Sequence, residues 1–271
     1  MSKMIWERTN YRADIQFMID SIIREYDITK ANINVLRDAN VIPQDTYVYL
    51  SQCPKQERQV YIGKLEGSNP HIVKILADGI AKARRVFIES NGIQDHEILA
   101  IRNDAIVLVG NRPISILDIS ERVSFREAAR YTSFYRVNHL DFYYYCNRVE
   151  NIEVLDIKGL GEDAINLHKN FMLEFLCTLF YCAQIEFIQD AITLLSYFHD
   201  NYINKRLSIE YYRELNSQSK YKLNSTMSMQ WPYYLDSATD YDKFNNIDIG
   251  HNEEILRKLN SMLASYYFAT K

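Results

Sequence analysis

Two aspartates stand where a folded chain could bring carboxylates together. Asp27 lies near the end of Ser21-Ile22-Ile23-Arg24-Glu25-Tyr26-Asp27-Ile28, which reads as a strand, just before a helical Thr29 to Ala39. Asp104 follows Asn103 between two β-rich runs, 97–102 and 105–109, at a dipeptide that suits a tight hairpin turn. If those strands are neighbours, Asp27 and Asp104 converge on one face of a sheet. Paired carboxylates of that kind hold Mg²⁺ or Mn²⁺ ions roughly 3.5–4 Å apart in two-metal phosphoryl transfer. Such hard ions take oxygen ligands and keep several waters, so two aspartates plus substrate phosphates suffice as a donor set. Each aspartate also has an ordinary role open to it, as a helix-entry turn residue and as a hairpin residue.

The elements that would position this pair follow from periodicity. Residues 10–20 carry Ile15, Met18, Ile19 and Ile22 at helical spacing and are expected to form a short amphipathic helix. Thr29 is the expected N-cap of the helix after Asp27. Pro43 and Pro54 open two further helices, to about Leu50 and Leu65, because proline pre-sets the first helical turn. A long helix is expected over His71 to Ser90. Strands follow at 121–125, 132–137, 140–146 and 152–157, and Gly159-Leu160-Gly161 closes the block without the Gly-Lys-Ser/Thr ending of a phosphate loop. Beyond it the pattern turns helical, over Glu162 to Lys205, 208–216 and 251–268. The expected class is α+β, with an α/β domain over 1–160 and a helical domain over 161–271.

The strand-to-helix segment Asp27-Ile28-Thr29-Lys30-Ala31-Asn32-Ile33-Asn34-Val35-Leu36 resembles motif A of family A DNA polymerases and the related single-subunit phage RNA polymerases. The Asn103-Asp104 tip resembles the His-Asp hairpin of their motif C. The resemblance covers about residues 20–110. It implies a palm-like sheet in which Asp27 and Asp104 are the catalytic residues and the ligands of Mg²⁺ or Mn²⁺. Asn32 falls where DNA polymerases carry the Glu that screens the ribose 2′-hydroxyl, so it is expected near the substrate sugar. Asn34 and Ala105 replace an Arg and an acidic residue of the family, and the interval between the motifs is shorter. The resemblance also implies a helix that grips the triphosphate. The candidate is Lys55 to Lys64, with Arg58 and Lys64 on phosphates and Tyr61 stacked on a base; a solvated helix face is the plainer reading of those charges.

Other residues carry less chemistry. The basic run Lys82, Arg84 and Arg85 reads as a solvated face or as a track for a phosphate backbone. Cys53, Cys146, Cys177 and Cys182 show no metal-ligand spacing and read as small apolar residues in a reducing cytosol. The six histidines are scattered and show no triad spacing. Tyrosine pairs and triplets, Tyr143 to Tyr145, Tyr211-Tyr212, Tyr233-Tyr234 and Tyr266-Tyr267, suit stacking on single strands, a protein interface, or a core whose hydroxyls reach the surface. The net charge of −4 favours the last two and argues against binding nucleic acid by bulk charge.

With 47% hydrophobic and 24% charged residues in 271, the chain buries a core and is not disordered. Only 8 Gly and 5 Pro argue against turn-rich sandwiches and propellers. The first residues are charged and lack an apolar run, and the apolar stretch near Phe171 to Phe187 is broken by Glu174, Gln184 and Glu186. The expectation is a cytoplasmic protein with no membrane partner. An Asn-, Ile-, Lys- and Tyr-rich, Gly-poor composition suggests an AT-rich genome such as that of a bacterial virus, which would place the chain in the host cytoplasm. Three functions fit: a compact palm-like nucleotidyltransferase using nucleoside triphosphates and nucleic acid, a palm-like protein without catalysis that binds a protein partner through its Tyr-rich C-terminal half, and a metal-dependent nuclease.

Overall fold

The computed structural model describes residues 15–137, 140–147, 149–158, 177, 179–183, 187–206 and 250–270. The class is α+β. The described residues form two compact units, one spanning 22–130 and the other 15–21 with the residues from 131 onward. The change of sequence period near 160 and this division at Arg130/Tyr131 differ by three strands, which belong with the C-terminal helices.

The first unit contains β2 (Ile23–Ile28), α1 (Ala31–Asp38), α2 (Gln44–Gln52), α3 (Lys55–Ser68), α4 (His71–Ser90), β3 (Ile98–Arg102), β4 (Ala105–Val109) and β5 (Phe125–Tyr131), whose last residue is counted with the second unit. The sheet order is β3-β4-β2-β5. β4 runs antiparallel to both β2 and β3, so β2 and β3 run the same way with β4 between them. The four helices form the crossover, which makes a split β-α-β unit. Tyr26 and Ile28 alternate into a core shared with Leu36, Ile62, Leu76 and Phe87, leaving Asp27 on the opposite pleat of β2. Phe87 anchors that core between Tyr26 and Phe125, with ring centroids 5.5 and 4.2 Å away. α1 and α4 cross closely at Gly79, where a Cβ would collide with the Val35 side chain.

Local chemistry explains most boundaries. Pro43, Pro54 and Pro70 each stand one residue before a helix, where a missing N–H does no harm. The start of α1 differs from expectation. Lys30, not Thr29, is the cap, with φ 46° and no side-chain cap bond. Thr29 instead offers its carbonyl to Asn34 Nδ2 at 2.6 Å. The strand expected over 121–125 begins at Phe125, because Ile119 and Ser120 fold back onto the Val123 carbonyl in a turn.

In the second unit β1 (Phe17–Met18), β6 (Ser133–Val137), β7 (Leu140–Asn147) and β8 (Ile152–Lys158) form an antiparallel sheet in the order β1-β6-β7-β8. The helix expected over 10–20 is therefore corrected at its described end. Phe17 pairs with Tyr135 and Met18 with Phe134, and backbone pairing to an available edge overrides a short helical spacing. The sheet packs with α5 (Ile188–Ile203) and α6 (Gly250–Thr270) through Tyr135, Tyr144, Leu195, Tyr202, Leu259 and Leu263. Tyr143 and Tyr144 are fully buried, and the Tyr144 hydroxyl donates to Glu153 at 2.8 Å. Those two tyrosines belong to the core and are not stacking platforms; Tyr211-Tyr212 and Tyr233-Tyr234 lie outside the described residues. The four cysteines stand outside any disulfide, and burial pushes the Cys177 thiol up to about 12, which keeps it an inert thiol.

Candidate functional site

The end of the first sheet opens into a cleft of about 900 Å³, to which β2, α1, α3, α4, β5 and the β3–β4 turn all contribute. Asp27 reaches it because β2 ends there. In the ladder Asp27 pairs with Ala105, and the Ile28 amide donates to the Asp104 carbonyl at 3.1 Å. The hairpin thus carries Asp104 beside the end of β2. Asn103 turns the chain with φ 47°, a left-handed conformation that asparagine tolerates better than most residues.

Helical spacing selects the rest. Lys55, Arg58, Gln59 and Ile62 of α3 line the cleft, at offsets that put them on one face. Ala77, Ala81 and Arg84 make the matching stripe on α4. Asp27, Asp104, Asn32 and Arg58 thus share one cleft. Tyr61 and Lys64 do not belong to its lining: Tyr61 packs against the helical core and Lys64 is exposed. Tyr61 and Lys64 fall on another face of the same helical turns, and the 55, 58, 59, 62 stripe was the sequence signal for Lys55 and Gln59. The basic run on α4 is also split. Lys82 and Arg85 are exposed, whereas Arg84 is only 4% exposed and donates to the Asn103 carbonyl at 2.8 Å.

The electrostatics of the cleft are mixed. Burial holds the Asp104 carboxyl above its usual range, and the charge of Asp27 adds to this, while the backbone amide of Asp104, Lys55 and Arg84 pull the other way. Burial in turn lowers the Arg84 guanidinium from its ordinary value, opposed by Asp104. Arg126 of β5 reaches Asp27 Oδ2 at 3.4 Å. Asp27 Oδ1 is buried without a hydrogen-bond partner. A shielded carboxylate oxygen with nothing to accept from, beside a second carboxylate that its charge disfavours, fits a hard divalent cation. Among the described residues no group of three or more His, Cys, Asp and Glu could hold a metal, so Asp27 and Asp104 would act as a pair, completed by water and substrate oxygens.

Together these features define an α+β protein with a split β-α-β sheet and a carboxylate-bearing cleft at the end of its central strands. The family model for the Bacteriophage PBS1 gene 130 protein matches residues 1–264. The chain belongs to that family and is a phage protein. No curated protein matches it. No helix among the described residues is long and apolar enough to cross a membrane.

Proposed function

We propose that this phage protein is a compact palm-like nucleotidyltransferase. The observation that carries the reading is the meeting of Asp27 and Asp104, one from the end of β2 and one from the β3–β4 turn, in a single cleft. The split β-α-β order around β2 and β4 agrees with it. A divalent ion at this pair would supply activation of a hydroxyl and charge stabilisation at the transferring phosphate. The chain's own residues do the rest. Lys55 and Arg58 line the cleft from α3 and would balance triphosphate charge, Arg58 as expected from sequence and Lys55 in place of Lys64, while Tyr61, expected to stack on a base, lies outside the lining. Asn32 at the start of α1 would border the sugar. In the reaction a 3′-hydroxyl attacks the α-phosphorus in line, the new phosphodiester forms, and pyrophosphate leaves.

The test is incorporation of labelled nucleotides into acid-insoluble product with Mn²⁺ or Mg²⁺, with and without primer-template. Wild type is expected to give product and Asp27→Asn to lose it by at least a hundredfold, the scale of removing a group that organises the transition state. Absence of product from wild type under every condition would sink the catalytic reading, leave Asp27 and Asp104 as turn residues, and direct the search to a protein partner. Loss of nucleic acid without added triphosphates would instead identify a nuclease.

A further inference from the structure

Asp27 already has a cation, and that cation is poorly held. Arg126 Nη2 lies 3.4 Å from Asp27 Oδ2, and the arginine side chain is 65% exposed against 26% for the aspartate. A long, exposed contact of this kind is weak and is screened by salt. The carboxylate is fixed at the end of a central strand, whereas the guanidinium can leave into water without breaking the core. The other cleft arginines and Lys30 are committed elsewhere: Arg58 to the Cys53 carbonyl at 2.7 Å, Arg84 to the Asn103 carbonyl at 2.8 Å and Lys30 to the Ser51 carbonyl at 2.6 Å.

We propose that Arg126 is an exchangeable counter-ion that neutralises Asp27 in the empty cleft, yields the carboxylate to a divalent cation, and then meets the phosphate that the cation brings. This rests on the metal-binding reading of Asp27 and Asp104. The chemistry suits the exchange, because one planar guanidinium forks equally well onto a carboxylate and onto a phosphate. It also assigns Arg126 two effects of opposite sign. It competes with the metal for Asp27, and it assists the anion once the metal is bound.

The experiment measures Mn²⁺ binding alone, by the loss of the free-ion paramagnetic signal, and then ATP binding at saturating Mn²⁺. Wild type, Arg126→Gln, Arg126→Lys and Asp27→Asn are compared at low and moderate salt. Arg126→Gln is expected to bind Mn²⁺ roughly two- to fivefold more tightly and ATP more weakly by a similar factor, on the usual scale for an exposed charge. Arg126→Lys, which keeps the charge, is expected to stay near wild type for Mn²⁺, and the differences are expected to shrink as salt rises. Unchanged Mn²⁺ affinity in Arg126→Gln, or both affinities moving the same way, would overturn the exchange while leaving the metal site standing. Failure of wild type to take up millimolar Mn²⁺, with or without ATP, would overturn the metal-binding reading and the exchange with it.

Discussion

Asp27 is paired across the β2–β4 ladder with Ala105, the residue after Asp104, and the next amide along, that of Ile28, donates to the Asp104 carbonyl. The backbone therefore holds two carboxylates within electrostatic range, and the charge of one disfavours ionisation of the other. Folding keeps this unfavourable pair because sheet hydrogen bonds and the core around Tyr26, Phe87 and Phe125 outweigh it. Such local conflict is a recurrent feature of ligand sites.

Asp104→Asn is expected to stabilise the protein at neutral pH. The folded-state carboxyl is held above its unfolded value, so the native state binds its proton more tightly and stability falls as pH rises through the interval between the two values. Above that interval the penalty is constant, and asparagine removes it. Melting temperatures from pH 3 to 8 would show the variant above wild type at pH 7 and the gap closing in acid. A variant that melts below wild type at pH 7 would refute the account.

Gly79→Ala is expected to destabilise the first unit although alanine is the better helix former. The added Cβ collides with Val35 on α1. Overpacking of this kind costs about 1–3 kcal/mol, against about 1 kcal/mol recovered from helix propensity. Urea unfolding is expected to show a net loss for Gly79→Ala and recovery in Gly79→Ala with Val35→Ala, the signature of a direct contact.

The turn between Asp27 and α1 is tied down by buried Asn34, which donates to the Thr29 carbonyl and accepts from the Tyr47 hydroxyl at 3.0 Å. Tyr47→Phe leaves the Asn34 oxygen short of a partner and is expected to cost about 1 kcal/mol, while Asn34→Ala is expected to cost about 1–3 kcal/mol. Chemical denaturation of the two single variants and the double variant should give a coupling well above zero. Strict additivity would mean that the two residues act independently.

Glu97 receives the Nε–H of Arg112 on both carboxylate oxygens, at 2.7 and 2.8 Å, and the Gln94 amide at 2.8 Å. The bond from Arg112 is the first cause holding its carboxyl below the usual range. A depressed folded value contributes stability above the unfolded value, and that contribution is lost as pH falls through the folded one. Glu97→Gln should therefore melt below wild type at pH 7 and alongside it in strong acid. A gap that persists unchanged at low pH would point to packing instead of charge.

Much of the scaffold was legible in residue order. The α4 boundaries at His71 and Ser90, the helices after Pro43 and Pro54 and the hairpin around Asn103-Asp104 follow from periodicity, proline geometry and turn chemistry. These are local properties, fixed by neighbours within a few positions. The fold class followed from the same signals. The start of α1 was less legible, because the left-handed Lys30 is set by the exit of β2 and not by a capping side chain.

Residue order alone specified which segments form strands and helices, with Asp27 near the end of one strand and Asp104 at the turn end of a hairpin. The tertiary structure alone decided that those ends lie side by side, through the insertion of β4 between β2 and β3. It also decided that α3 turns Lys55 and Arg58 toward them while Tyr61 and Lys64 turn away, that Arg84 is buried while Lys82 and Arg85 are exposed, and that β6 to β8 pack with the C-terminal helices. Strand order, helix rotation and shared cores arise from contacts between residues far apart in the chain. Their free energy depends on surfaces buried together, which no window of sequence contains.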